Sequence, residues 1–403
     1  MMSLVLAPNR SVQRSPAAPT ATTAPAAGKR PYLHHVDLVR TTTFALVMFV
    51  HVYTSTTDQF GSVGTNATAI LFHATRNIFF ALTGFVLMYQ YLDRPDFRAT
   101  TFWRKRIKLV IIPYAIWSVL YWLVTVMWAQ NRLGDVPSNL DDLGERLAWG
   151  TAAYHLYFLF VMLQVYVLFP LVRRLVTATR GHHGLLALGA GALQITVIAV
   201  MTYWTPPSSI ADLWGHLYAT FLPYSLVIVL GALAADHRDT LHRLLRGQGV
   251  LLVTLLISTG AFAVAAYLYR VNTGGPISDP LGAFQPTLLP FILVAAVGVY
   301  AMAVHWARTR RDRQPRIAMA VTYASNRSFP VFLVHVMVLF FLLRPTGEDG
   351  GPWFLSTIPQ PLATPVVYLL TLAISLAVVE VLRRFPGSEY LTGRPRLGLR
   401  PTI

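Results

Sequence analysis

Hydrophobic positions fall in long runs along this chain, and polar positions collect between the runs. Ten runs reach or approach the roughly 20 mostly apolar residues that a membrane-spanning helix needs. They lie near 36–55, 67–91, 109–129, 155–175, 183–204, 216–235, 249–270, 284–306, 328–345 and 361–382. Several are interrupted by Pro, Gly or a polar residue, which membrane helices tolerate where neighbouring helices supply partners. The pattern predicts an all-α, polytopic membrane protein with about ten transmembrane helices. Residues 32–385 form the membrane domain. Residues 1–31 include "SPAAPTATTAPAAGK", which is Pro/Ala/Thr-rich, has no periodicity, and reads as a disordered cytoplasmic tail. Residues 386–403 read as a cytoplasmic C-terminal tail.

The polar connections carry the orientation. Of the 33 Lys and Arg, 27 lie in the two terminal segments and the even-numbered connections. The odd-numbered connections hold only Arg132, Arg146, Arg270 and Arg344, together with acidic stretches such as "DDLGE" and "GEDGG". Cytoplasmic loops collect Lys and Arg, so both termini are expected in the cytoplasm. The net charge of +16 is then a topology signal, and no nucleic-acid partner is expected.

Composition agrees: 54% of residues are hydrophobic and 12% charged, against about 25% charged in an ordinary soluble protein. The absence of cysteine excludes a disulfide scaffold and thiolate metal sites. Arginine outnumbers lysine 30 to 3, a usage expected of a GC-rich bacterial genome. The expected location is the inner (cytoplasmic) membrane.

A few ionisable residues interrupt the apolar runs. In "DLVRTTTFALVMFVH", Arg40 and His51 are eleven residues apart, roughly 16 Å along a helix axis and about 20° apart around it. They share one face, which must line a bundle interior or a wet cavity because buried ionisable groups are costly in lipid. The second run holds His73 and Arg76 on consecutive turns, then "FFALTGF" with Thr83 and Gly84. Asp58 and Glu380 are candidate partners for Arg76. His335 sits in "SFPVFLVHV", and His155 opens the fourth run as a boundary residue. Arg104, Lys105, Arg106 and Lys108 cluster at the cytoplasmic mouth of the third. No nucleotide-binding glycine loop or spaced metal-ligand cluster stands out, and His182–His183 reads as a solvated loop pair.

These pieces together resemble the acyltransferase 3 family of multi-pass membrane O-acyltransferases. "RTTTFALVMFVH" fits its Arg, ten residues, His pattern in the first helix, and "FFALTGF" its "FFxxSGF" element, with Thr83 in place of serine. "FWRKRIKLVIIPY" resembles its basic run leading to proline, "HLYFL" its "HLWFL" element, and "SFPVFLVH" its late "S-x-x-x-Y-L-x-H". The matches run in family order from about residue 33 to 340. In the basic run, the family's frequent second arginine falls at Leu109, with Lys108 beside it.

The resemblance implies transfer of an acyl group, such as acetyl, from a cytoplasmic donor to a hydroxyl on a sugar or other small acceptor. Acyl-CoA is the expected co-substrate, and no bound cofactor or metal is expected. The chemistry needs a base, which histidine supplies near neutral pH, and charge stabilisation at the carbonyl oxygen. Arginine's planar fork suits a polyanionic donor. Arg40 and His51 are the expected catalytic pair, His51 as general base. Arg76, Thr83, Arg104, Arg106, Lys108 and His335 are the expected substrate contacts. The alternative is a proton-coupled transporter using Arg40, His51, Arg76 and His335 as a relay. The two halves show no obvious repeat of the kind many transporters carry, which counts against it.

Overall fold

The computed structural model describes residues 30–58, 60–279, 281–344 and 358–398. The expected N-terminal tail lies almost wholly outside the described residues. Fifteen α-helices and no strands occur among them. They are α1 His34–Thr56, α2 Val63–Phe72, α3 Ala74–Tyr91, α4 Ala99–Tyr121, α5 Leu140–Trp149, α6 Tyr157–Ala178, α7 His183–Tyr203 and α8 Ala211–Gly215. There follow α9 Ser225–Asp236, α10 Arg238–Leu244, α11 Gly249–Asn272, α12 Leu289–Thr309, α13 Pro315–Leu343, α14 Gln360–Leu382 and α15 Ser388–Thr392.

Among the described residues, ten segments are long and apolar enough to cross a membrane, and each overlaps one of the ten hydrophobic runs. One of them, Val63–Tyr91, is broken at His73 into α2 and α3. Two begin well before the hydrophobic run does. Helix α4 starts at Ala99 and α13 at Pro315, so the basic cluster 104–108 and "RIAMAVTYASNR" are helical, not loops. No breaker lies between Ala99 and Lys108, and Lys and Arg can keep their heads in water while their stems follow the helix. Pro315, at the start of α13, has the fixed φ that suits a first helical turn.

Helix α1 packs against α3, α12, α13 and α14 and is the hub of the bundle. The closest approach is between α3 and α9. A Cβ on Gly231 would lie 1.9 Å from the Ala81 carbonyl oxygen, and one on Gly84 would lie 2.3 Å from that of Ile228. Two backbones meet there because neither helix carries a side chain at the crossing. This close packing sets the rotation of α3, and with it the directions of Arg76 and Thr83. Gly231→Ala forces the helices apart against backbone atoms, so a stability loss at the upper end of the about 1–3 kcal/mol typical of overpacking is expected. Unfolding of the purified protein in mild detergent measures it; an unchanged unfolding midpoint would contradict this role for the crossing.

The described residues after 385, up to 398, are docked. Trp117 Nε1 on α4 donates to the Leu391 carbonyl at 2.8 Å, the Leu397 amide donates to Arg383 O at 2.8 Å, and Ser388 and Thr392 are buried. At the same end, Glu380 accepts hydrogen bonds from Arg327 and Tyr323.

Candidate active site

The site begins on one face of α1. Arg40 donates to Ser325 Oγ on α13 at 2.9 Å, and that hydroxyl donates to Asp37 Oδ1 at 2.7 Å. Arg40 also stands 3.6 Å from the same carboxylate, one turn back. Asp37 is almost fully buried, so its charge and part of Arg40's are balanced locally while the guanidinium still reaches a cavity.

That cavity, of about 240 Å³, lies toward the arginine-rich end of the bundle. Arg40, Arg106 and Arg394 line it, with Thr83, Met162 and Tyr166 among the other wall residues. Arg106 donates to Gln90 Oε1 on α3. The Thr83 hydroxyl donates back to Phe79 O at 2.9 Å and lies 3.4 Å from Met162 Sδ. Arg104 and Lys108 are exposed and do not line the cavity; Lys108 Nζ lies 5.5 Å from the Tyr390 ring centroid. The four basic residues of that run point around α4 in different directions, and only Arg106 turns inward.

A second, smaller cavity of about 60 Å³ is lined by His51, His73, Arg76, Tyr154, His155 and Tyr157. Phe79, Phe158 and Phe332 line both cavities. Their rings are in contact, with centroids 5.6 Å apart for Phe79–Phe158 and 5.4 Å for Phe158–Phe332. Arg40 and His51 therefore share a helix face but open into different spaces, divided by an aromatic partition.

Around His51 three imidazoles converge. The His51 ring is 5.5 Å from His335 and 4.9 Å from Tyr154, and His335 is 5.4 Å from His155. His335 lines neither cavity; it sits behind His51 and Phe332, fully buried. Its Nδ1–H donates to Phe332 O at 2.8 Å. A carbonyl can only accept, so this bond fixes the tautomer and leaves the lone pair on Nε2, which has no hydrogen-bond partner among the described residues. Tyr121 buttresses this part of α13. Its hydroxyl accepts from Met337 N–H and donates to Leu333 O, both at 2.9 Å. These two groups would pair with each other in an uninterrupted helix.

Among the described residues, Arg76 is held without a carboxylate. It donates to Ala283 O at 2.7 Å and more weakly to Tyr157 Oη at 3.4 Å, and its guanidinium lies 4.0 Å from the Phe284 ring centroid. Neither candidate partner is used: Asp58 accepts from the amides of Phe60 and Gly61, and Glu380 pairs with Arg327 and Arg384. Carbonyl and π contacts stand in for the acid beside the histidines.

Two residues outside the expected set belong here. His155 is buried, with neither ring nitrogen hydrogen-bonded to a described residue, although its place at a hydrophobic boundary resembles an ordinary anchor. Its ring packs against those of Tyr121, Phe332 and His335. In α5 the Arg146 guanidinium hydrogen-bonded to Asp142 keeps that carboxyl below its usual range, and Trp122 Nε1 donates to the same carboxylate at 2.7 Å. Arg394 arrives from beyond α15, and nothing in its local sequence distinguishes it from a topogenic charge.

His183 is not solvated as a loop pair with His182. Its Nε2–H donates to Val176 O and its Nδ1 meets His237 Nε2 at 2.7 Å, with Asp236 close by. His183, Asp236 and His237 are near enough to share a metal ion, a grouping between residues far apart in sequence.

A family model described as an acyltransferase domain matches residues 33–380, most of the chain. The chain belongs to the acyltransferase 3 family. It is an acyltransferase, embedded in a bilayer and crossing it many times, and it acts on an acyl donor and an acceptor. Comparisons with curated proteins and with solved structures gave no match. Within the matched residues lie both ends of the α1 face, the aromatic partition and all four histidines of the inner site; Arg394 lies beyond them.

Proposed function

We propose that this acyltransferase moves an acyl group from cytoplasmic acyl-CoA to a hydroxyl of a sugar or other small molecule, with His51 as general base. One observation carries the reading: an arginine-lined cavity and a histidine-lined cavity lie against each other along α1 and share a wall of three phenylalanines. The arginine-rich end is cytoplasmic, and the membrane is the inner membrane of a bacterium. Donor phosphates meet Arg40 and Arg106, the thioester reaches toward the partition, and movement of the phenylalanine rings lets it meet the acceptor beside His51. The acceptor oxygen attacks the thioester carbonyl carbon as its proton passes to His51. Arg76 stabilises the charge that develops on the carbonyl oxygen. The carbon–sulfur bond then breaks, and the thiolate takes the proton back from the imidazolium, leaving an ester and free CoA.

Washed membranes containing the protein, with no ion gradient, should transfer label from acyl-CoA of a suitable chain length to glycans or small molecules. Flux that needs a gradient, with no acylated product, would point to a transporter instead. Reporter fusions after Asp142 and Gly274 should report outside, and fusions after Arg180 and Arg313 inside. The reverse pattern would put the arginine cavity on the wrong side for a cytoplasmic donor.

A further inference from the structure

The arginine cavity is completed by the C-terminal segment. Three guanidinium-bearing side chains, Arg40, Arg106 and Arg394, line it, and no carboxylate among the described residues does. Such convergence of positive charge in a concave, partly apolar space raises the local concentration of anions. Arg40 and Arg106 come from helices of the bundle, but Arg394 comes from the segment after α15.

That segment is built to hold one position. Gly393 has φ +61°, and a Cβ there would lie 2.6 Å from Phe329 Cε1 and 2.9 Å from Leu109 O. Only glycine allows the chain to turn this tightly against both α4 and α13. The next residue's carbonyl, Arg394 O, accepts from Ser388 Oγ at 2.9 Å, and Ser388 is itself buried. The Trp117 bond to Leu391 ties the backbone before Gly393 to α4, and the Leu397 amide bond to Arg383 O ties the backbone after it to the end of α14. Leu109, on the adjoining wall of α4, is also a lining residue and offers no cation.

We infer that Arg394 is a donor-binding residue: it contacts a phosphate of the CoA moiety, and α15 with Gly393 forms the wall that presents it. The inference rests on the acyl-CoA reading above. Guanidinium groups bind phosphate by paired, charge-assisted hydrogen bonds, so a third fork in one cavity matches a ligand carrying several phosphates. An anionic lipid headgroup offers the same chemistry, and the experiment separates the two.

The probe is CoA itself, titrated onto purified full-length protein in nanodiscs of zwitterionic lipid. Arg394→Ala should weaken CoA binding about 10- to 150-fold, the loss of one hydrogen bond to a charged group. The donor Michaelis constant should rise by the same order, with kcat and the acceptor Michaelis constant little changed. Arg394→Lys, which keeps the charge and loses the fork, should fall between. Arg396→Gln, an exposed neighbour bonded to Arg384 O, should stay within about twofold of wild type, and an unchanged unfolding midpoint for Arg394→Ala shows that docking survives. If wild type binds CoA and Arg394→Ala binds it equally well, the inference fails alone. If wild type binds no CoA, the acyl-CoA reading fails and takes the inference with it. If the variant differs from wild type only in nanodiscs containing anionic lipid, the ligand is a headgroup and the donor role is overturned.

Discussion

His51→Ala is expected to lower acyl transfer by roughly 10²- to 10⁴-fold, the usual contribution of a positioned general base, while the protein still inserts and folds. His51 lines the inner cavity instead of filling the core, so its removal enlarges an existing space more than it opens a new one. His51→Gln should not restore activity, because an amide can hydrogen-bond the acceptor but cannot take its proton. The measurement is turnover of labelled acyl-CoA at matched protein levels, for all three proteins. Near wild-type turnover by His51→Gln would make His51 a structural hydrogen-bonding residue. The base would then be sought at His335, whose Nε2 carries the lone pair left by the bond to Phe332 O.

The second large effect is on the donor side. Arg106→Ala should raise the donor Michaelis constant roughly 10- to 150-fold, with much less effect on the acceptor. The loss is one hydrogen bond to a charged group, about 1.5–3 kcal/mol, at about 1.4 kcal/mol per decade. Arg106 is the one member of its basic run whose side chain enters the cavity, and Gln90 on α3 holds it there. Arg104→Ala, at an exposed position outside the cavity, is the natural comparison and should leave the donor constant near wild type. An unchanged donor constant in Arg106→Ala, with normal level and topology, would leave Arg106 only a role in orientation.

Several site residues were legible before any fold was known. Arg40 and His51 could be placed on one face because helical rotation per residue is a local constant. Arg76 was identifiable as a functional candidate because a mid-membrane arginine is costly without a purpose. Its partner was not, since a carbonyl and an aromatic ring satisfy it as an acid would, and nothing in a sequence marks which backbone carbonyl will lie nearby. His155 was passed over for a related reason: a histidine beside tyrosine at a hydrophobic boundary has the composition of an interfacial anchor whether it faces lipid headgroups or a bundle interior.

The sequence by itself determined what depends on near neighbours along the chain. Hydropathy over about 20 residues sets the number and place of the spans, and the Arg excess in alternate connections predicts which way they run. Only the tertiary structure decided which spans touch, how each is rotated, and so which polar groups meet. The approach at Gly84 and Gly231 rotates α3, the turn at Gly393 brings Arg394 into the arginine cavity, and three phenylalanines from three segments divide one continuous face of α1 into two spaces. These follow from packing between residues up to hundreds of positions apart, where a single missing Cβ sets how close two backbones lie, and helical periodicity carries no record of that choice.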